Sequence, residues 1–342
     1  MLVKEFSQLP DKLLQLSAQE LHEALGGPSL FFLPGRIASA LFVSVLMHGN
    51  ETTGWDALRE VLTHYSCAGG ERELPRSMYI FIANTSAAAQ GLRHLPDQPD
   101  YNRVWPGTDL PACAESAMMQ SLVDKLQALD LFASIDIHNN TGLNPHYACV
   151  NHLDNQSLHL AAMFCRTVVY FTTPHGLQSQ AMAALCPAVT LECGLVGESR
   201  GIEHAAEFVE ACLHLSEHPT QEIAARDIDL FHTTGIVNTL AGLEFAYDAN
   251  ARDLQLYPDI EYYNFRELPL GTAFGRVKRE ALPFLVKNEA GEDVSAAYFT
   301  LHDGEVITKK PLMPSMLTRD IAIIEQDCFC YLMERYPLEV QA

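Results

Sequence analysis

The sequence predicts an α/β protein: a mostly parallel mixed sheet with helices on both faces over residues 1–224, then a smaller C-terminal β domain over residues 225–342. Three observations carry this reading. Apolar runs of strand length, at 40–46, 78–83 and 188–191 among others, alternate with segments of helical patterning. Strands alternating with helices bury their apolar faces as a parallel sheet covered on both sides. The texture changes after His218-Pro219, where short apolar runs alternate with turn residues at Gly235, Pro258, Pro269, Gly271, Gly275, Pro283, Gly291 and Gly304. That spacing belongs to an antiparallel β domain. Finally, 342 residues are too many for one small core and suit a large domain plus a smaller one.

The elements follow in order. Leu13, Leu14, Leu16, Leu21 and Leu25, with charges between them, predict a helix over 10–26 closed by Gly26-Gly27-Pro28. Residues 30–33 read as a short edge strand before Pro34-Gly35, and 40–46 as a buried strand that turns at Gly49 into a helix over 55–66. Residues 78–83 form the next strand. Residues 84–113 are long and irregular, with Pro96, Pro99, Pro106 and Pro111, and loops of that length in a compact domain are usually functional or disordered. A helix over 116–129, capped by Ser116, precedes a strand that ends near His138. Short strands at 146–150 and 168–171, helices at 155–166 and 177–185, the strand ending at Glu192 and a helix over 202–217 complete the first unit. A linker falls at 219–227. No internal repeat or low-complexity tract is present.

Composition narrows the function. Lys plus Arg number 22 against 43 Asp plus Glu, a net charge of −21. This argues against nucleic acid and anionic membrane surfaces, which are bound by basic side chains. Nine cysteines, odd in number and without a Cys-x-x-Cys pair, read mostly as small core hydrophobes in a reducing compartment. The N-terminus lacks a signal-peptide pattern and no apolar run is long enough to span a bilayer, so a cytoplasmic location is expected.

The chemistry gathers at predicted strand ends. His48-Gly49-Asn50-Glu51 places an imidazole and a carboxylate within one turn, at the carboxyl end of a buried strand. Open α/β sheets bind ligands in that crevice. A capping glutamate beside a satisfied histidine would look the same. His138 at a second strand end and Glu192 at a third strengthen the functional reading, because a carboxylate at the mouth of a buried strand needs a partner or a task. Catalytic zinc takes three N/O protein ligands and keeps a fourth position open. His48, Glu51 and His138 are therefore the expected ligands of one Zn2+ per chain. Asp136, two residues before His138, shares its face of the strand and either orients that imidazole or is buried for structure.

His48-Gly49-Asn50-Glu51-Thr52, Asn102-Arg103-Val104-Trp105-Pro106-Gly107, Asp136-Ile137-His138 and Leu191-Glu192-Cys193-Gly194 together resemble the succinylglutamate desuccinylase and aspartoacylase family. That family belongs to the zinc carboxypeptidase superfamily, and the four motifs stand in its order. The resemblance implies a zinc carboxypeptidase-like fold and a zinc-dependent hydrolase that cleaves the amide of an N-acylated amino acid. It makes Glu192 the general base and later acid, and Arg93 the oxyanion stabiliser. Asn102 and Arg103 would hold a substrate carboxylate; solvated loop arginines are the plainer alternative. Two departures stand out. Aspartoacylases carry a further arginine about ten residues before the catalytic glutamate, where this chain has Gln178, Gln180 and Met182. Asn288-Glu289-Ala290 resembles a segment that supplies a substrate-contacting tyrosine, yet Gly291 follows and the next tyrosine is Tyr298. His146 and His175 are further candidates for the pocket wall. A metallocarboxypeptidase acting on peptides, and a non-catalytic metal- or ligand-binding protein, are the competing readings. The expected partner is a small substrate bearing a carboxylate, and a homo-oligomer is compatible with the sequence.

Overall fold

The computed structural model describes residues 2–248 and 250–338; of the two expected units, Met1, Ala249 and 339–342 lie outside the described residues. In the first part of the chain the elements run β1 (Lys4–Phe6), α1 (Leu21–Leu25), β2 (Ser29–Leu33), β3 (Ile37–Val45), α2 (Thr53–Leu62), β4 (Arg76–Ile82), α3 (Thr85–Ala88) and α4 (Ala114–Gln127). Then come β5 (Leu131–Asn140), β6 (Tyr147–Val150), α5 (Asn155–Phe164), β7 (Thr167–Tyr170), α6 (Gln178–Ala183), β8 (Ala188–Leu195) and α7 (Ser199–His214). The C-terminal part holds β9 (Asp229–Thr239), β10 (Phe245–Ala246), β11 (Leu254–Leu256), β12 (Ala273–Val277), β13 (Phe284–Lys287), α8 (Ser295–Tyr298), β14 (Phe299–His302), β15 (Glu305–Thr308), β16 (Met313–Ser315), α9 (Ile321–Gln326) and β17 (Cys330–Arg335).

The large sheet is mixed and has the order β1-β2-β4-β3-β5-β8-β6-β7-β9-β17-β16, with β13 paired to β9. Its centre, β4-β3-β5-β8, is parallel. These strands are buried on both faces, and β3 shows how. Leu41, Val43 and Val45 enter a core built with Trp55, Leu58, Ala205, Val209 and Leu213 of α2 and α7. Phe42 enters the opposite core, built with Met119, Leu122 and Leu126 of α4 and Met182 of α6. Alternate residues on a strand face opposite ways, so an unbroken apolar run is what two covered faces require.

Local chemistry corrects two expectations near the N-terminus. The 10–26 helix is broken: Lys12 is left-handed, Ser17 and Glu20 cap each other, and only α1 is α-helical. Segment 30–33 is not an edge strand. Strand β1 pairs outside it, with Phe6 stacked on Phe31 at 4.8 Å and Lys4 Nζ donating to Leu25 O at 2.6 Å. Helix α4 starts at Cys113 rather than at Ser116; Cys113 Sγ accepts the Ser116 N–H and Ser116 Oγ accepts the Cys113 N–H.

The C-terminal part contributes to two sheets. Strands β10-β11-β12-β15-β14 form the smaller sheet, over a core that includes Phe274, Phe284, Phe299 and Phe329. Strands β9, β13, β17 and β16 extend the large sheet, because β9 pairs in parallel with β7. Tyr147, Cys149 and Val169 from the first part share a cluster with Phe231, Met313 and Met333 from the second. No described helix is long and apolar enough to cross a membrane.

Removing residues after 224 would leave β7 as an open edge and uncover that shared cluster. Open apolar edges pair with other chains. A 1–224 fragment is therefore expected to associate or to lose cooperative folding. Size-exclusion chromatography and thermal unfolding check this, and a monomeric fragment that unfolds cooperatively would show β9 to be dispensable.

Candidate active site

Strands β3, β5 and β8 lie side by side, and their carboxyl ends supply His48, His138 and Glu192. After β3 the chain turns sharply: Leu46 has φ 58°. A Cβ on Gly49 would lie 2.2 Å from Ala88 N, so this turn accepts only glycine. The Gly49 N–H donates to Arg93 O at 3.0 Å, which ties the turn to the 84–113 loop. Glu51 N–H then donates to His48 O at 3.1 Å, and α2 begins two residues later.

His48, Glu51 and His138 converge, with one ligand-type atom of each within 4.8 Å of the others, and all three are buried. His48 Nδ1 lies 2.8 Å from Glu51 Oε1, and His138 Nδ1 lies 2.7 Å from Glu51 Oε2. The other ring nitrogens are held from behind. His138 Nε2 is 2.7 Å from Asp136 Oδ2, and Ser44 Oγ donates to Asp136 Oδ1 at 2.7 Å. His48 Nε2 is 3.1 Å from Asp100 Oδ1. A carboxylate only accepts, so with a cation on the Nδ1 side each Nε2 would carry its proton towards Asp136 or Asp100. Both Nδ1 atoms and the Glu51 carboxylate would then face one cation. Two imidazole nitrogens and a carboxylate oxygen form a donor set that suits zinc.

The buried charges of the site hold one another in place. Burial opposes the charge on Glu51, but His48 and His138 overcome it and hold the carboxyl below its usual range. Desolvation works against the charge on the half-buried Asp100 too, yet His48 and Arg93 hold it well below the carboxylate range. Burial works against the charged form of His138, and Asp136 and Glu51 reverse this and raise it well above an ordinary imidazole.

Arg93 lays its Nε and Nη2 on Asp100 Oδ2, at 3.1 and 2.9 Å, and its Nη1 is 3.9 Å from Glu51 Oε1. Asn102 Nδ2 approaches His138 Nε2 at 3.2 Å, while its Oδ1 accepts the Gln178 N–H at 3.0 Å. Arg103 donates to Asn102 O at 2.9 Å and to Asp327 Oδ1 at 2.8 Å. Asp327 follows α9, so the C-terminal part reaches into the site. Ser315, Met316, Ile323, Cys328 and Tyr331 from that part also line the cavity.

Glu192 stands beside His138 in the β5–β8 ladder and lines the same cavity. Its Oε2 is buried without a hydrogen-bond partner, as is Oγ1 of Thr190, two residues earlier on the same face. Burial pushes the Glu192 carboxyl up to about 8; His138 and Arg93 pull the other way, and Glu51 and Asp136 add to the rise. A buried, unpaired carboxyl with a raised pKa at a cleft is the usual mark of an acid–base group.

A family model for the succinylglutamate desuccinylase/aspartoacylase catalytic domain matches residues 38–216. The chain belongs to this family. No curated protein matches the sequence. Solved structures with the same fold include succinylglutamate desuccinylase from Chromobacterium violaceum, at TM-score 0.62 and 17% identity, covering 94% of this chain and 98% of that one. Succinylglutamate desuccinylase/aspartoacylase from Rhodobacter sphaeroides follows at TM-score 0.57 and 16% identity, with 90% and 88% covered. Murine aminoacylase 3 gives 0.53 and 15%, with 89% and 97% covered.

Within this desuccinylase/aspartoacylase frame, several polar side chains near the site have structural partners. Gln178 is fully buried, with Nε2 on Ser134 Oγ at 2.8 Å, and Gln180 donates to Thr172 O and Pro174 O. Tyr298 packs under Lys310 outside the cavity, and Glu289 accepts from Thr172 and pairs with His232. His146 pairs with His204 at 2.8 Å and His175 is exposed, so neither lines the cavity. Tyr147 and Tyr331 do. Asp100 behind His48, and Asp327, Tyr147 and Tyr331 in the cavity wall, are polar residues of the site that the motifs did not point to. Asp100 had a signal, its place two residues before Asn102. Asp327 had none, because it arrives through a contact of more than two hundred residues' separation.

The raised Glu192 carboxyl fixes a sign. Between the ordinary value of 4.5 and about 8, the folded metal-free chain holds a proton that the unfolded chain has released. Stability therefore falls as pH rises through that window. Glu192→Gln lacks this loss, so its stability relative to the parent should be greater at about pH 8.5 than at about pH 5. Urea unfolding of the metal-free proteins at both values measures it, and a difference that does not change with pH would remove the buried-proton assignment.

Proposed function

We propose that this chain hydrolyses the amide bond of a small N-acylated amino acid, or of a related amide bearing a carboxylate, with one zinc ion held by His48, Glu51 and His138. The convergence of these three side chains beside the unpaired Glu192 carboxyl carries the reading. Zinc supplies Lewis acidity and brings the ionisation of water into the neutral range. Asp136 and Asp100 keep the two imidazoles in the tautomer that frees Nδ1. Glu192 takes a proton from water and hands it to the departing nitrogen. Arg93, its Nη1 nearest the metal ligands, stabilises the negative charge that develops on the amide oxygen. Asn102 and the remaining N–H groups of Arg103 hold the carboxylate of the amino acid.

The division of labour follows the chain. Residues 1–224 act as the hydrolase unit, and 225–342 as the unit that covers the cavity. Coverage by Ser315, Met316, Ile323 and Tyr331 favours a small substrate over a peptide, which needs an open groove. An unpaired buried glutamate at the reaction centre favours an enzyme over a binding protein, which has no use for it. Nine free cysteines fit a reducing cytoplasm.

Two measurements test this. The purified protein should hold about one zinc per chain, and His138→Ala should lose most of it. Full metal occupancy in that variant, by elemental analysis, would remove His138 from the site. Glu192→Gln should keep zinc and substrate affinity, while kcat on the best N-acyl amino acid falls by roughly a hundredfold to ten-thousandfold. Near-parental turnover by that variant would overturn the mechanism.

A further inference from the structure

We propose that Asp327 is a specificity-determining residue that limits the substrate to a single carboxylate, so that the acyl group removed is uncharged. The inference rests on the deacylase reading above and names its substrate class.

Arg93 and Arg103 are the lining residues of the cavity that carry a fixed positive charge. The Asp327 carboxylate spans them, with Oδ1 on Arg103 Nη2 at 2.8 Å and Oδ2 on Arg93 Nη2 at 3.3 Å. Arg93 is further matched by Asp100 at 2.9 Å. Two guanidinium groups thus face two carboxylates of the chain's own. The pair is held away from water, since the side chains of Arg93, Arg103 and Asp327 are 10%, 19% and 19% exposed. A substrate carboxylate that displaced Asp327 would leave an aspartate unpaired in a poorly hydrated site near Asp100 and Glu51. That exchange is unfavourable, because a buried charge without its partner keeps its desolvation penalty and loses its compensation.

The rest of the wall offers no substitute. Tyr147, Cys149, Val169, Phe171, Leu177 and Met316 line the cavity beyond the arginines, and none carries a positive charge. Glu51 and Glu192 line it too. One carboxylate can still use the free N–H groups of Arg103 together with the charge of a bound metal ion. A second, at the far end of a dicarboxylic acyl group, would meet apolar carbon and like charge. Specificity built this way works by repulsion as well as by attraction. The acyl group that fits is short, uncharged and largely apolar.

The test uses the zinc-loaded full-length chain and one amino acid carrying an acetyl, butyryl or succinyl group. The parent should favour the uncharged acyl groups by about tenfold or more in kcat/KM. Asp327→Asn, which keeps the shape and removes the charge, should narrow that preference by about tenfold through a gain on the succinyl compound. Asp327→Glu should keep the preference. Calorimetric binding of butyrate and of succinate to the same proteins gives a readout that needs no turnover, and the parent should bind butyrate more tightly. A parent that cleaves or binds the dicarboxylic member as well as the uncharged one overturns the proposal, and so does an Asp327→Asn variant that shifts both equally. If no amide is hydrolysed at all, the deacylase reading fails, and the butyrate-to-succinate ratio still decides the role of Asp327. Should Asp327→Asn not fold, the parent and Asp327→Glu ratios decide it.

Discussion

One carboxylate shared by two imidazoles organises this molecule. Glu51 lies within hydrogen-bond distance of Nδ1 of both His48 and His138, and those histidines come from neighbouring parallel strands. The contact works only if β3 and β5 keep their register, since a slip by one residue would turn His138 to the other face of the sheet. It also needs the close turn at Gly49, where backbone packs on backbone at Ala87 and Ala88. Asp136 behind one ring and Asp100 behind the other then fix how the imidazoles point. Asp100 belongs to the long irregular segment 84–113, which is anchored to the site by Arg93, Asp100 and Asn102.

The parts of this arrangement that were legible in the sequence are local ones. His48 and Glu51 sit within one turn, and Asp136 and His138 share a strand face. Each pattern follows from the geometry of a single element, so the residues themselves reveal it. The parallel centre of the sheet was legible for the same reason: strands buried on both faces are apolar throughout. Less visible were features that arise from contacts distant in sequence. Strand β1 covers β2 because Phe6 stacks on Phe31, and nothing in three residues announces such a partner. The expected 10–26 helix fails at Lys12 and Ser17, where local capping outweighs apolar periodicity. The C-terminal strands read as a domain apart, yet four of them continue the large sheet through β7. Asp327 is the extreme case, a contact with two cavity arginines that no local pattern could signal.

Charge inside the protein is managed differently from charge outside. The chain carries a net −21. Within the cavity each arginine has an acidic partner, and the unmatched group is Glu192, the one carboxyl that burial drives towards its neutral form. Burial therefore leaves one carboxyl of the cavity without a cationic partner.

The attachment of the C-terminal part bears on how molecules enter and leave. It is fastened by the β7–β9 ladder at one side and by the Asp327 ion pairs over the cavity. A hinged swing of the whole unit would tear a continuous sheet, so that motion is not open to it. The stretch between β16 and β17 carries Met316, Ile323 and Asp327 to the cavity wall. Moving that stretch outward would break the Asp327 ion pairs with Arg93 and Arg103. A substitution that loosens this stretch would therefore also take a carboxylate away from two arginines of the cavity.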